Sequence, residues 1–308
     1  MSLPEDYLTY PHRSYGMDQD RYGWRPVTAR APITWPGGHA LAAMIVVPIE
    51  HHTLEPLGKP FKPPGAMQTP YPDLRHYTTR DYGNRVGVFR ILKELNAAGL
   101  RATFPVNANQ LGRLKPLIDA IIAEGHEIAA YGLAADYIHW SGLEPGIEAG
   151  WIAEVRQRFD VAGLQPRTWM SPARQQSFAT LDLIAEYGFD ICLDWEIDEI
   201  PVRMRSDAGE ITTLPLSNEL DDRTLLIDRR QTEDDWADQV LEAARYLSDG
   251  AERFGGRMMG FTLTPYVIGQ PFRMAALRRM LAGLDETGTW IATAGELADA
   301  AIETAPNR

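Results

Sequence analysis

The sequence predicts an α/β protein in which parallel strands and helices alternate and close into a distorted barrel of seven or eight βα units. Three observations support this fold class. Short apolar segments alternate with stretches of helical period, glycines follow several of those stretches, and a polar residue follows almost every apolar segment. Because the carboxyl ends of barrel strands meet at one end of the molecule, these polar residues are expected to surround one pocket.

The amino-terminal part of the chain divides into an arm and the first strand. Residues 1–40 are rich in Tyr, Pro and Arg without a regular period, and we interpret them as an arm on the surface of a single barrel domain, residues 41–308. Residues 41–49 are almost continuously apolar, which is typical of a strand buried on both faces. The prolines within residues 53–80 exclude a regular helix, so this long connection is predicted to be a loop over the pocket mouth.

The remaining elements follow in alternation. Apolar stripes of helical period predict helices over residues 86–95, 114–122, 151–159, 181–187, 233–250, 274–284 and 295–302, and apolar runs predict strands over 102–106, 127–131, 168–170, 189–193, 212–217, 258–263 and 290–293. Gly99, Gly125 and Gly188 can end helices in the left-handed conformation. The acids that begin residues 233–250 suit the amino end of a helix dipole.

Composition excludes several classes of partner. The net charge of −12 would repel a phosphate backbone or an anionic membrane, so neither nucleic acid nor membrane is expected as a partner. The single cysteine, Cys192, excludes an internal disulfide and fits a reducing compartment. No apolar run approaches the roughly 20 residues that cross a bilayer. We therefore expect a cytoplasmic protein, and the Tyr-rich arm suggests a homo-oligomer in which it reaches a neighbouring subunit.

Four segments resemble a known family. They are VPIEHH at 47–52, RDYGNR at 80–85, GHEIAAYG at 125–132 and LTPYVIGQPFR at 263–273, which together extend over nearly the whole barrel. They resemble the polysaccharide deacetylase superfamily, particularly the branch of the allantoinases and related cyclic-amide hydrolases. The resemblance implies a distorted βα barrel and hydrolysis of a carbon–nitrogen bond.

The chain departs from the family pattern at the metal site. In metal-dependent members an acid ends the first strand, two histidines four residues apart follow the third, and another histidine lies near the last. Here Glu50 matches the acid, but Tyr131, Ala135 and Thr264 stand at the histidine positions. A phenol with a pKa near 10 is a poor zinc ligand at neutral pH and alanine offers no ligand atom, so no metal and no other cofactor is expected. A different metal site with the Glu50 and His52 pair is the alternative, although two adjacent donors do not complete a tetrahedral site.

The remaining acid–base groups are the candidates for catalysis. Glu50, partly desolvated at a strand end, is expected to have a raised pKa and to act as general base, with His52 sharing the proton. Tyr131 and Thr264 would hydrogen-bond a polarised carbonyl group. Asp194 could supply a further carboxylate beside the base. Each of these side chains also has a structural interpretation, as a satisfied buried hydrogen bond or an ion pair.

Other candidates would bind the substrate. Arg174 could clamp a carboxylate or carbonyl group with its planar fork. If Glu219 is held close to Asp194, repulsion between the two carboxylates would separate their pKa values. One of them could then act as an acid and the other as a base. Trp140 and Trp195 are predicted to form parts of the pocket wall.

The expected function is hydrolysis of a carbon–nitrogen bond in a small amide, cyclic amide or ureide without a metal. Two alternatives stay open. A lyase or isomerase could act on a small carbonyl or aromatic compound by acid–base chemistry alone, because one fold hosts unrelated reactions. A catalytically dead barrel could be retained for binding.

Overall fold

A computed structural model describes residues 19–56 and 72–304 of the chain. Its strands are β1 (Leu41–Val46), β2 (Thr103–Val106), β3 (Glu127–Ala130), β4 (Thr168–Trp169), β5 (Ile191–Cys192), β6 (Val202–Ser206), β7 (Gly209–Thr213), β8 (Arg257–Thr262) and β9 (Trp290–Ile291). Its helices are α1 (Leu74–Tyr82), α2 (Val88–Ala97), α3 (Lys115–Ala123), α4 (Pro145–Val161), α5 (Thr180–Glu186), α6 (Glu233–Asp249), α7 (Ala251–Phe254), α8 (Met274–Glu286) and α9 (Ala294–Thr304).

The strands form one curled sheet in the order β6, β7, β5, β4, β3, β2, β1, β8, with β9 also pairing with β1. All pairs are parallel except the β6–β7 hairpin. The two ends of the sheet approach each other, since Gly260 accepts a hydrogen bond from Ser217 N (2.8 Å) and Met258 N donates to Glu199 O (2.8 Å). The predicted fold class, a distorted α/β barrel, is confirmed.

The central strand shows why the apolar pattern predicted this architecture. All six residues of β1 are buried, as expected for a strand covered on both faces. Its pairing extends past Val46 through a parallel bridge between Ile49 and Val106, so the segment predicted from the apolar run is nearly reproduced. The helix ends also follow the prediction: Gly99, Gly125 and Gly188 all have positive φ angles.

The hairpin was not predicted. Strand β6 reads VRMRS and only its central Met204 is buried, so it lacks the apolar run that identifies a covered strand. Strand β7 begins and ends earlier than the strand predicted over residues 212–217, because it runs from Gly209 to Thr213. Each strand of this edge hairpin has five residues and only one covered face. So short an alternation of apolar and polar residues cannot be distinguished from a loop in the sequence.

The prediction that residues 53–80 contain no regular helix was wrong. Helix α1 begins at Leu74, directly after the last proline of the segment, and Asp73 caps it by accepting a hydrogen bond from His76 N (2.9 Å). The prolines therefore precede the helix and do not interrupt it. Residues 57–71, the rest of the expected loop over the pocket mouth, lie outside the described residues.

Residues 19–40 of the expected arm pack on the barrel. Both terminal nitrogens of Arg21 donate to the carboxylate of Asp182 in α5, each over 2.5 Å. The ring of Trp35 is buried, and its Nε1 donates to Arg257 O in β8 (2.7 Å). Residues 1–18 lie outside the described part of the chain. Among the helices described, none has the length and apolar character needed to cross a membrane.

A close contact positions the segment that follows β8. Between α1 and α2 the backbone forms a π-helical turn, Gly83–Gly87, a geometry that is often found at functional sites. A Cβ atom on Gly87 would lie 2.0 Å from Pro265 O, and one on Gly83 would lie 2.8 Å from Tyr266 N. The missing side chains thus let the two backbones touch, which places Tyr266 at the carboxyl ends of the strands.

Candidate active site

A cavity of about 340 Å³ opens at the carboxyl ends of the strands. Its lining combines acidic, basic and hydroxyl side chains from segments that are distant in sequence: Pro48, Glu50, His52, Tyr131, Ala135, Met170, Ala173, Arg174, Asn218, Asp221, Arg223, Thr262, Thr264 and Tyr266. Polar residues that follow β1, β3 and β8 line this cavity, whereas Asn107 and Asp194, which follow β2 and β5, do not.

Both carboxylate oxygens of Glu50 and its backbone carbonyl oxygen take part in hydrogen bonds. Its Oε2 lies 3.0 Å from Nε2 of His52, and its Oε1 accepts from the Tyr131 hydroxyl group over 3.1 Å. Its backbone carbonyl accepts from Nδ2 of Asn84 (2.7 Å), which the π-helical turn supplies. The carboxylate is therefore fixed in one orientation beside an imidazole and a phenol.

The pKa of Glu50 differs from the expectation of a raised value. Burial alone would raise the pKa of this carboxyl group, but the charge of His52, its hydrogen bond, and the Arg223 and Arg80 guanidinium groups outweigh burial and lower the pKa to about 2. Sequence reasoning included the desolvation and missed the two arginines. Glu50 is consequently ionised throughout the physiological range.

The hydroxyl group of Tyr131 is a hydrogen-bond donor to Glu50 in this structure. Burial, and next the charge of Glu50, raise the pKa of the phenol well above its usual range, so it keeps its proton. That proton is donated to Oε1 of Glu50. In this structure the hydroxyl hydrogen is therefore directed at Glu50, and the expected hydrogen bond from Tyr131 to a substrate carbonyl group stays a prediction.

An amide network joins the ends of β1, β2 and β3. The buried Asn107 side chain accepts from His51 N through Oδ1 (2.6 Å) and donates through Nδ2 to Tyr131 O. Nε2 of Gln110 lies 3.0 Å from Nδ1 of His51. Because these bonds tie backbone to side chain across three strand ends, Glu50 and Tyr131 are held in fixed relation.

Arg223 and Tyr266 complete the cavity, and sequence reasoning missed both. Burial would lower the pKa of Arg223, but Asp221, and next Tyr266 and Glu50, outweigh burial and raise it. Its Nε is buried without a partner, and its guanidinium group makes no hydrogen bond or ion pair with the described residues. The Tyr266 ring lies under the guanidinium group of Arg80, 4.8 Å from the ring centroid. Arg80 and Tyr266 belong to the segments that carry the family resemblance, whereas Arg223 lay in a loop that appeared only acidic.

Arg174 and Thr264 also line the cavity. Arg174 donates from Nη1 to Oδ1 of Asn218 (3.0 Å), and its nearest acid is Glu196, at 3.8 Å from Nη2. The backbone amide of Thr264 donates to Oδ2 of the buried Asp222 (2.8 Å). Both side chains therefore lie where the sequence placed them, in the same cavity as Glu50.

The structure does not bring Asp194 and Glu219 together. Asp194 is half-buried beneath the turn after β4, where its carboxylate accepts from Ser171 N (2.9 Å) and Gln176 Nε2 (2.5 Å). Burial raises its pKa. Glu219 is 68% exposed and forms an ion pair with Arg229. Neither carboxylate lines the cavity, because one anchors a turn and the other faces solvent.

The two tryptophans also lie apart from the lining. Nε1 of Trp195 donates to Oε1 of Gln176 (2.9 Å), and its ring meets Tyr22 edge-on. Trp140 is 52% exposed. Neither ring lines the cavity, although both were predicted to form its wall.

The donor atoms in the cavity do not fit the metal site that the resemblance would imply. The three positions matched to histidines are occupied by a phenol that remains protonated, an alanine and a threonine, and all three line the cavity beside Glu50. Within residues 19–56 and 72–304, no group of three or more His, Cys, Asp or Glu side chains is arranged to hold a metal ion. The pair of Glu50 and His52 lacks a third donor among these residues.

Known proteins resemble this chain in structure. No protein-family model matches the sequence, and no curated protein matches it. A PuuE allantoinase superposes with a TM-score of 0.79 and 22% identity, over 97% of this chain and 99% of that one. A probable polysaccharide deacetylase from Pseudomonas aeruginosa PAO1 gives 0.77 and 20%, over 92% and 99%. A CE4 family pseudoenzyme from Bacillus anthracis gives 0.51 and 13%, over 88% and 69%. The family resemblance of the sequence is thus confirmed at the level of structure: the chain has the fold of the polysaccharide deacetylases and of this allantoinase.

Proposed function

We propose that this chain hydrolyses a carbon–nitrogen bond in a small amide, cyclic amide or ureide, and that it does so without a metal ion. The observation that carries the proposal is the meeting of three groups in one cavity: the ionised Glu50, the His52 imidazole bonded to it, and the Arg223 guanidinium. The fold is shared with proteins named as an allantoinase and a polysaccharide deacetylase, and both names denote hydrolysis of carbon–nitrogen bonds.

Glu50 and His52 act together as the base that activates water. A carboxylate with a pKa of about 2 holds a proton weakly, so the proton taken from water passes to His52 and not to Glu50. With Nε2 facing Glu50, Nδ1 is the ring nitrogen left to accept it. Glu50 stays ionised, orients the ring and stabilises its positive charge.

Arg223 supplies the positive charge that the transition state requires. Attack of water on the carbonyl carbon moves negative charge to the oxygen, and a guanidinium group in a partly buried cavity stabilises that charge. In metal-dependent relatives a cation has this task. Its loss costs several kcal/mol of transition-state stabilisation, which hydroxyl groups replace only partly, so Arg223 resolves a difficulty that Tyr131 and Thr264 leave open.

Breakdown of the tetrahedral intermediate reverses the proton movement. The oxyanion reforms a carbonyl group, the carbon–nitrogen bond breaks, and the proton on His52 passes to the leaving nitrogen. One water is consumed, and the products are an acid and an amine or ammonia. His52 and Glu50 return to their starting states.

A panel of amides, cyclic imides and ureides tests the proposal, with release of ammonia, amine or carboxylate as the readout. We expect turnover that survives chelation of divalent metals, and a loss of about 10²–10⁴-fold in Glu50→Gln. Glu219→Gln makes the same change at an exposed carboxylate and should retain full activity.

Three outcomes would contradict the proposal. Loss of activity on chelation would show a metal mechanism. Turnover of a panel of carbonyl and aromatic compounds, with no amide cleaved, would favour a lyase or isomerase. No turnover of either panel would favour a binding barrel, and a pseudoenzyme is known among proteins of this fold.

We also propose that the protein acts in the cytoplasm as a homo-oligomer, on a small molecule and not on nucleic acid. The absence of a disulfide-forming pair of cysteines and the acidic net charge of −12 support this. Light scattering of the full chain tests the assembly state, and a monomeric mass would contradict it.

A further inference from the structure

We propose that the substrate carries a carboxylate group and that Arg174 binds it at the cavity; this inference rests on the proposed function of the same site. Arg174 lines the cavity with 16% of its side chain exposed. Nη1 donates to Asn218, while Nε is buried without a hydrogen-bond partner. Because Nε is enclosed by the protein, the edge formed by Nη2 and the second N–H of Nη1 is the part of the guanidinium group left for a ligand.

The nearest acid does not occupy that edge. Oε2 of Glu196 lies 3.8 Å from Nη2 of Arg174, beyond hydrogen-bond distance. The same oxygen accepts from the backbone and side-chain nitrogens of Asn218, over 3.1 and 3.2 Å. Two parallel N–H groups on one edge match the two oxygens of a carboxylate, which is the geometry that favours arginine over lysine at such sites.

The other charges of the lining face each other. The carboxylate of Glu50 is bonded to His52, and its charge also acts on Arg223. Asp221 accepts from Arg223 N (2.8 Å), and both Arg223 and Arg174 act on its carboxyl group. Arg174, like Arg223, therefore has no carboxylate within hydrogen-bond distance of its guanidinium group among the described residues. A carboxylate group of the substrate would accept hydrogen bonds from Arg174. The scissile carbonyl group would then lie elsewhere in the cavity, near Arg223.

The backbone that presents Arg174 is strained. Ala173 and Arg174 have φ angles of 55° and 53°, and such left-handed conformations cost non-glycine residues about 1–2 kcal/mol each. Arg174 N donates to Ser171 O (2.7 Å) and Gln175 N to Pro172 O (3.2 Å), which hold the turn. Strain of this kind persists where the surrounding structure enforces it, and it accords with a side chain positioned for binding.

Binding of matched acid and amide probes tests the inference independently of turnover. The probes are N-acetylglycine, N-carbamoylglycine and succinamate, each compared with its uncharged primary amide by calorimetric titration. We expect the unchanged protein to bind the acids at least about tenfold more tightly than the amides. Arg174→Gln should remove that preference without changing the affinity for the amides, and Arg174→Lys should restore only part of it.

Two controls separate this inference from the proposed function and from misfolding. Glu50→Gln abolishes hydrolysis and should keep the preference for the acids, so the binding result stands even if no probe is cleaved. Arg229→Gln removes an exposed guanidinium outside the cavity and should change nothing, and thermal unfolding confirms that each variant is folded. Equal binding or no binding of all acids and amides by the unchanged protein, or an acid preference retained in Arg174→Gln, would overturn the inference.

Discussion

The hydroxyl group of Tyr131 donates a hydrogen bond of 3.1 Å to Oε1 of Glu50, and the resemblance of the sequence implies that both residues stand at positions of metal ligands in metal-dependent members. The two side chains reach each other from the ends of β3 and β1, which are not adjacent strands in the sheet. The hydroxyl hydrogen of Tyr131 lies between the two side chains. This hydrogen bond fixes the carboxylate of Glu50, which in turn orients His52.

Removal of this hydroxyl group should affect both stability and catalysis. In Tyr131→Phe, Oε1 of the half-buried Glu50 loses its donor, and we expect the free energy of unfolding to fall by about 1–3 kcal/mol. We also expect kcat to fall at least about tenfold because the carboxylate is less firmly oriented. Urea denaturation and steady-state kinetics measure the two effects. Tyr246→Phe changes an exposed tyrosine and should have neither effect, and equal behaviour of the two variants would contradict the role of the contact.

Arg223 should contribute to the transition state. In Arg223→Gln we expect kcat to fall by about 10²–10³-fold, which is typical of losing one oxyanion-stabilising group, with a smaller change in KM. Arg223→Lys keeps the charge and should recover part of the rate. A fall in the unfolding temperature with kcat of the folded protein unchanged would instead assign Arg223 a structural role.

The stability of the protein should depend on pH through Glu50. Its pKa is lowered from 4.5 to about 2 in the folded state, so folding favours the ionised carboxylate. This contribution, on the order of 3 kcal/mol, is complete above the unfolded pKa and is lost as pH falls from about 4.5 toward 2. Urea denaturation between pH 7 and pH 3 should show the unchanged protein losing its advantage over Glu50→Gln on acidification. A difference that is constant or grows toward low pH would be the opposite result.

Restoring the family imidazoles should create zinc binding. The positions of Tyr131 and Ala135 line the cavity beside Glu50, and histidines at both would provide the acid and the histidine pair of metal-dependent members. We expect the double variant Tyr131→His/Ala135→His to bind one zinc ion by calorimetric titration and by metal analysis after dialysis. The unchanged protein should bind none tightly, and a stoichiometric zinc in it would contradict our interpretation of the site.

The glycines beneath Tyr266 should be required for packing. In Gly87→Ala the new Cβ atom would lie 2.0 Å from Pro265 O, and the backbone must shift to admit it, which should cost about 1–3 kcal/mol. We expect kcat to fall as well, because the shifted segment carries Tyr266 and Thr264. Gly150→Ala is the control: it lies in α4 with no atom near its Cβ and should be neutral or slightly stabilising. Equal stability of the two variants would show that the contact relaxes without cost.

The fold could be predicted from local pattern because each unit repeats the same physical signals. Apolar runs marked the covered strands, stripes of helical period marked the helices, and Gly99 and Gly125 ended helices at positive φ. Two local features escaped. The β6–β7 hairpin has few apolar residues, and α1 is short and follows a proline-rich segment.

The sequence alone determined which side chains follow the strands, and so it placed Glu50, His52, Tyr131 and Thr264 at one end of the barrel, because the parallel strand ends meet there. Tertiary structure decided what those groups can do. Burial alone would raise the pKa of Glu50, and His52 is the largest of the effects that oppose burial. Only the folded chain brings the charges of Arg223 and Arg80 near Glu50, where they add to the effect of His52 and lower the pKa further. Electrostatic interactions depend on distances between residues far apart in the sequence, and residue spacing along a chain does not contain those distances.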